Sequence, residues 1–109
     1  MKERDFQDQI IELAHLKDWT VAHFRTVRIQ RKDGSVYYAT PVQADGVGFP
    51  DLILLRPPRQ VVIECKVDRR KPTVDQQIWL QLFEACGAEA YVWYPTDWDE
   101  IERTLDKRP

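Results

Sequence analysis

The chain reads as a mixed α/β domain, a small mixed β-sheet flanked by helices, in the order helix, strand or hairpin, two strands, helix, strand, helix. Three observations predict it. Residues 3–17 and 74–86 carry apolar side chains at helical spacing, and residues 51–56 and 60–67 are apolar runs of strand length. Pro and Gly clusters mark the boundaries between them. With 109 residues the chain fits one domain, 1–109, with a single core.

In the first segment Phe6, Ile10, Leu13, Ala14 and Lys17 recur at helical spacing. Helix positions turn by about 100° per residue, so Glu3 and Gln7 fall on the stripe of Ile10 and Ala14. A carboxylate and an amide therefore sit on or beside the buried face. "WTVAHFRTVRI" has the β-branched and aromatic content of a strand, Asp33-Gly34 is a turn signal, and "SVYYATPV" returns as a second arm. "QADGVG" is a loop, and "PPR" tightly connects the strands at 51–56 and 60–67. Thr73 is placed to N-cap the helix at 74–86, which Gly87 ends. "AEAYVWY" is a short strand. Thr96 or Asp97, followed by Asp99 or Glu100, opens a last helix with a capping-box pattern.

The composition, 43% hydrophobic and 31% charged with a net charge of −2, is that of a soluble globular protein. No apolar run approaches the roughly 20 residues of a membrane span. "MKERDFQDQ" has no signal-peptide core, which predicts a cytoplasmic protein. Cys65 and Cys86 do not have metal-ligand spacing, so neither a disulfide framework nor a zinc site is expected. Two local runs are basic: "RTVRIQRK", with Arg28, Arg31 and Lys32, and "KVDRRK", with Arg69, Arg70 and Lys71. They fit either a phosphate-gripping surface or a plain solvated face.

The unusual feature is charge within the apolar strands. Side chains alternate along a strand, so Glu64 and Lys66 share a face with Val62, while Ile63 and Cys65 face the other way. If 57–60 is the turn, the hairpin brings Asp51, Glu64 and Lys66 to one end of the sheet. Two carboxylates and an ammonium there suit Mg²⁺ or Mn²⁺, and the Cys65 main-chain carbonyl offers a further oxygen. An ion pair on an exposed strand, with Asp51 as a turn residue, accounts for the same residues. The helices favour the first account. Glu3 projects from the apolar stripe of the first helix, and Gln76 shares a stripe with Trp79, Leu80 and Phe83, whereas Gln77 points well away. His23 also fits a hydrogen-bonded residue at a strand end. Trp79, Trp93 and Tyr91 fit a core better than base-stacking platforms, and Trp19 and Trp98 fit either a core edge or the surface.

Gly48-Phe49-Pro50-Asp51 followed by Glu64-Cys65-Lys66 resembles the PD-(D/E)xK nuclease signature. With "KERDFQDQIIELA", "HFR", "VVIECK" and "PTVDQQIWLQLFEACGAEAYVWYPTDWDEIERTL", nearly the whole chain resembles the VRR-NUC (virus-type replication-repair nuclease) family in its stand-alone phage and bacterial form. The resemblance implies a restriction-endonuclease-like core and a Mg²⁺- or Mn²⁺-dependent endodeoxyribonuclease. By analogy Asp51, Glu64, the Cys65 carbonyl and Glu3 hold the metal. Lys66 serves the attacking water and the phosphate, Gln76 is the helix glutamine near the site, and Gln7 and His23 are accessory. The resemblance further implies a homodimer on branched DNA such as Holliday junctions, leaving 5′-phosphate ends. A non-cleaving DNA-binding or assembly module, and a less selective nicking nuclease of phage replication or packaging, are the competing readings.

Overall fold

The computed structural model describes residues 1–108, and Pro109 lies outside the described residues. Helix α1 (Glu3–Leu16) is followed by β1 (Thr20–His23), β2 (Val27–Gln30), β3 (Val36–Ala39), β4 (Leu52–Arg56) and β5 (Arg59–Cys65). Helix α2 (Val74–Ala85), β6 (Glu89–Trp93), a 3-10 turn (Pro95–Asp97) and α3 (Trp98–Asp106) complete the chain. This is the mixed α/β architecture read from the sequence.

The main sheet has the order β1-β4-β5-β6, antiparallel except between β5 and β6, which run parallel. Central β5 explains its own sequence. Val61 and Ile63 face α1 and α3 in a core with Phe6, Ile10, Ile101 and Leu105, while Val62 faces α2 and packs with Leu80 and Ala88. Both faces are covered, so "VVIEC" is buried throughout. The same coverage leaves Glu64 only 1% exposed.

The far end of the sheet is tied to the end of α3. The Arg56 guanidinium donates to the carbonyls of Lys17 (2.8 Å), Leu105 (3.0 Å) and Lys107, and Trp19 donates to the Leu105 carbonyl at 2.9 Å. Arg56 and Arg59 also lie over the Trp19 ring, at 4.4 and 5.0 Å. These donors satisfy carbonyls that the end of a helix leaves without intrahelical partners.

Several boundaries differ from those expected, and β3 keeps only Val36–Ala39 of the arm expected across 35–42. The strand expected across 19–29 breaks into β1 and β2. The Phe24 N–H donates to the Asp51 carbonyl at 2.8 Å, and its ring packs edge-on against Phe49 at 4.8 Å. The chain then leaves the main sheet, and β2 pairs with β3 alone. Strand β5 ends at Cys65 rather than residue 67, although the Lys66 N–H still donates to the Trp93 carbonyl. Asp97 accepts from the Tyr94 N–H at 2.9 Å, so it fixes the 3-10 turn and makes no side-chain cap on α3. Among the described residues, no helix is long and apolar enough to cross a membrane.

Candidate active site

The site forms where β4 begins and β5 ends. Leu52 pairs with Ile63, so continuing the register by one residue sets Asp51 opposite Glu64. One Asp51 oxygen accepts the Cys65 N–H at 2.8 Å, which fixes the carboxylate. Glu3, the first residue of α1, completes a cluster in which Glu3, Asp51 and Glu64 each place an oxygen within 4.8 Å of the others. The stripe predicted for α1 therefore delivers Glu3 to the sheet carboxylates. Gln7, one turn on, is buried and hydrogen-bonds His23 at 2.9 Å.

Helix α2 supplies the other support. Thr73 and Gln76 form a capping box: the Thr73 hydroxyl accepts the Gln76 N–H at 3.2 Å, and the Gln76 side-chain oxygen accepts the Thr73 N–H at 2.8 Å. That leaves the Gln76 NH₂ free to donate to Oε1 of Glu64 at 3.0 Å. Lys66 Nζ lies 3.8 Å from the same oxygen, and both side chains are buried. The surface ion pair on an exposed strand is thereby excluded.

The loop before Asp51 is pressed against the start of α2. Gly48 has φ +82°, and a Cβ there would lie 2.6 Å from the Asp75 carbonyl carbon and 2.7 Å from the Gln76 nitrogen. Only glycine accepts both the conformation and the approach. Phe49 anchors the loop between Phe24, Trp79 and Phe83, with ring centroids 4.8 to 5.9 Å away. Trp79 is thus a packing residue, as expected, and its indole N–H donates to the Asp45 and Val47 carbonyls. Trp93 is likewise buried, stacked on Tyr91 at 4.6 Å.

Burial, more than mutual charge, disfavours ionisation of the three carboxylates. Burial, then the charge of Asp51, pushes Glu64 up to about 9. Burial also raises Asp51, against the lowering effect of the Cys65 N–H and smaller lowering contributions. Burial and the Asp51 charge raise Glu3, partly offset by Lys66 and Arg70. The Glu64 carboxyl faces the Asp51 carboxylate, and its Oε2 is buried with no N–H or hydroxyl donor among the described residues. An orphaned carboxylate oxygen beside two further carboxylates fits a hard divalent cation, for which all three offer oxygen ligands.

A cavity of about 500 Å³ opens onto this cluster. Glu3, Asp51, Glu64, Lys66, Gln76 and Arg70 line it, together with Thr26, Tyr38 and Thr40 from the β2–β3 hairpin and its flanks. Of the basic residues singled out, Arg70 reaches the cavity. Arg69, Lys71, Arg28, Arg31 and Lys32 are exposed outside its lining. Tyr38 carried no sequence signal, because its place depends on where the separate hairpin leans.

Residues 2–96 of the chain match the VRR-NUC domain, from the residue before α1 into the 3-10 turn. The chain belongs to the VRR-NUC family. It is therefore a nuclease of PD-(D/E)xK-like fold, a hydrolase with DNA as its substrate, and α3 lies beyond the matched segment. Among curated proteins, none matches the chain. For a VRR-NUC nuclease, the cluster of Glu3, Asp51 and Glu64 with Lys66 beside it is the candidate site of chemistry.

Proposed function

We propose that this chain, as a single domain over residues 1–109, is a Mg²⁺- or Mn²⁺-dependent endonuclease that cuts branched DNA, four-way junctions foremost, and leaves 5′-phosphate ends. The observation that carries the reading is the orphaned, buried Oε2 of Glu64 within an acidic cluster that opens to solvent through one cavity. Asp51, Glu64, Glu3 and the Cys65 main-chain carbonyl would hold the ion. When bound, the metal supplies Lewis acidity toward the phosphate and an acidified water. Lys66 orients the attacking water and neutralises charge that builds on the phosphate. Gln76 holds Glu64 in place, and Gln7, through His23, holds the end of β1 against α1. Arg70 meets a phosphate beside the cut, with Arg69 and Lys71 on the adjoining surface.

A homodimer is part of the proposal, since two sites about a two-fold axis suit paired cuts on a symmetric junction. Its support is an uncovered apolar stripe on α2, where Val74, Ile78 and Leu82 are 70, 48 and 53% exposed. The test is incubation with labelled four-way junction, flap, single-stranded and linear duplex DNA in Mg²⁺, Mn²⁺ or EDTA. Paired symmetric incisions that require metal and vanish in Lys66→Ala are expected. Scattered nicks on every substrate would replace junction selectivity with the less selective nuclease. Cutting that persists in EDTA would overturn the metal site.

A further inference from the structure

The β2–β3 hairpin stands outside the main sheet, and its two faces differ. Cross-strand partners share a face, so Arg28 and Tyr38 lie together on one side, while Ile29 and Tyr37 lie on the other. On the second side the Arg31 guanidinium covers the Tyr37 ring at 4.1 Å from its centroid. On the first, Thr26, Tyr38 and Thr40 line the cavity that holds the acidic cluster. Tyr38 is 68% exposed, and its ring has no aromatic or cationic partner among the described residues. An uncovered ring beside a nuclease site, with an arginine directly across the hairpin, has the make-up of a base-stacking platform next to a phosphate contact.

We propose that the hairpin is a substrate-holding wall of this site. The Tyr38 ring stacks on the nucleobase next to the phosphate being cut, and Arg28 grips a neighbouring backbone phosphate. This rests on the nuclease reading of the acidic cluster and deepens it. A base inside a continuous duplex has both faces occupied, so Tyr38 can engage only a base that is unpaired or unstacked. The hairpin thus supplies a physical reason for preferring branched or single-stranded DNA. Tyr37, already covered by Arg31, has no such role.

The experiment maps the cut on whichever oligonucleotide is cleaved, then places 2-aminopurine on either side of it. Fluorescence is followed on binding in Ca²⁺ for wild type, Tyr38→Phe, Tyr38→Ala and Tyr37→Ala. Tyr38 is exposed, so its truncation leaves the core intact, which a thermal melt checks. Stacking should quench the probe in wild type, Tyr38→Phe and Tyr37→Ala but not in Tyr38→Ala. Tyr38→Ala should also bind the branched substrate about tenfold more weakly, with little change on linear duplex. Equal quenching and affinity in Tyr38→Ala and wild type, with cleavage intact, overturns the hairpin proposal and leaves the nuclease reading standing. If no substrate is cut in Mg²⁺ or Mn²⁺, the nuclease reading of the acidic cluster fails and takes this proposal with it.

Discussion

The Gln76 side chain joins two tasks: its oxygen caps α2 by accepting the Thr73 N–H at 2.8 Å, and its NH₂ donates to Glu64 at 3.0 Å. The start of the helix and the orientation of the buried carboxylate are therefore set by one amide. Gln76→Ala should lose about 1 kcal/mol of stability with the cap and about tenfold or more in cleavage. Gln76→Glu keeps an oxygen for the cap but offers Glu64 no N–H and adds a negative charge. It should nearly retain the cap and lose the cleavage. Thermal melts and cleavage rates on both variants separate the two tasks.

The metal-free protein should lose stability as pH rises from about 4.5 towards 9. Above the usual glutamate range the unfolded chain has released the Glu64 proton, while the folded chain holds it until about 9. The raised values of Asp51 and Glu3 act in the same direction. Asp33, Asp106 and Glu89 are lowered, so their contribution is lost only as pH falls below the ordinary carboxylate range. Melts in EDTA between pH 5 and 9 should show a falling midpoint. Mn²⁺ should raise it, more at high pH, because the ligands must be deprotonated.

Glu64→Gln removes the cost of holding a buried carboxyl protonated at neutral pH, while its carbonyl can still accept from Gln76. Its NH₂ gives the formerly orphaned position a donor facing Asp51. The metal-free variant should be more stable than wild type by about 1 kcal/mol, and it should not cleave. A less stable variant in EDTA would contradict the burial cost assigned to Glu64.

Gly48→Ala forces a Cβ into the first turn of α2 at a positive φ. It should cost about 1–3 kcal/mol and lower cleavage by shifting Asp51 relative to Glu64. Both effects are read from a melt and a rate at a temperature where the variant is folded.

Arg56→Ala should cost about 2–3 kcal/mol through lost charged hydrogen bonds and orphaned carbonyls at the end of α3. Arg56 serves the opposite end of β4 from Asp51, so cleavage by the folded variant should be unchanged.

The hairpin of β4 and β5 shows how far the sequence could be read. Asp51, Glu64 and Lys66 stood out because buried charge in apolar strands needs a partner, and the α1 and α2 projections pointed Glu3 and Gln76 at the same place. Arg56 and Arg59 in the same hairpin carry no such local signal, since their partners include carbonyls of α3 and the Trp19 ring, far away in sequence. The break between β1 and β2 was hidden for a similar reason. Residues 24–26 have strand-like composition, and the edge-on packing of Phe24 against Phe49, where the chain leaves the sheet, joins partners distant in sequence. Arg28, Arg31 and Lys32 read as one basic patch, whereas the pairing of β2 with β3 divides the hairpin into two unlike faces.

Calorimetric titration of Mn²⁺ into wild type, Asp51→Asn and Glu64→Gln tests the metal site most directly. Wild type should bind the ion with proton release, and each variant should bind it about tenfold or more weakly. Equal binding by all three proteins would contradict the assignment of Asp51 and Glu64 as ligands.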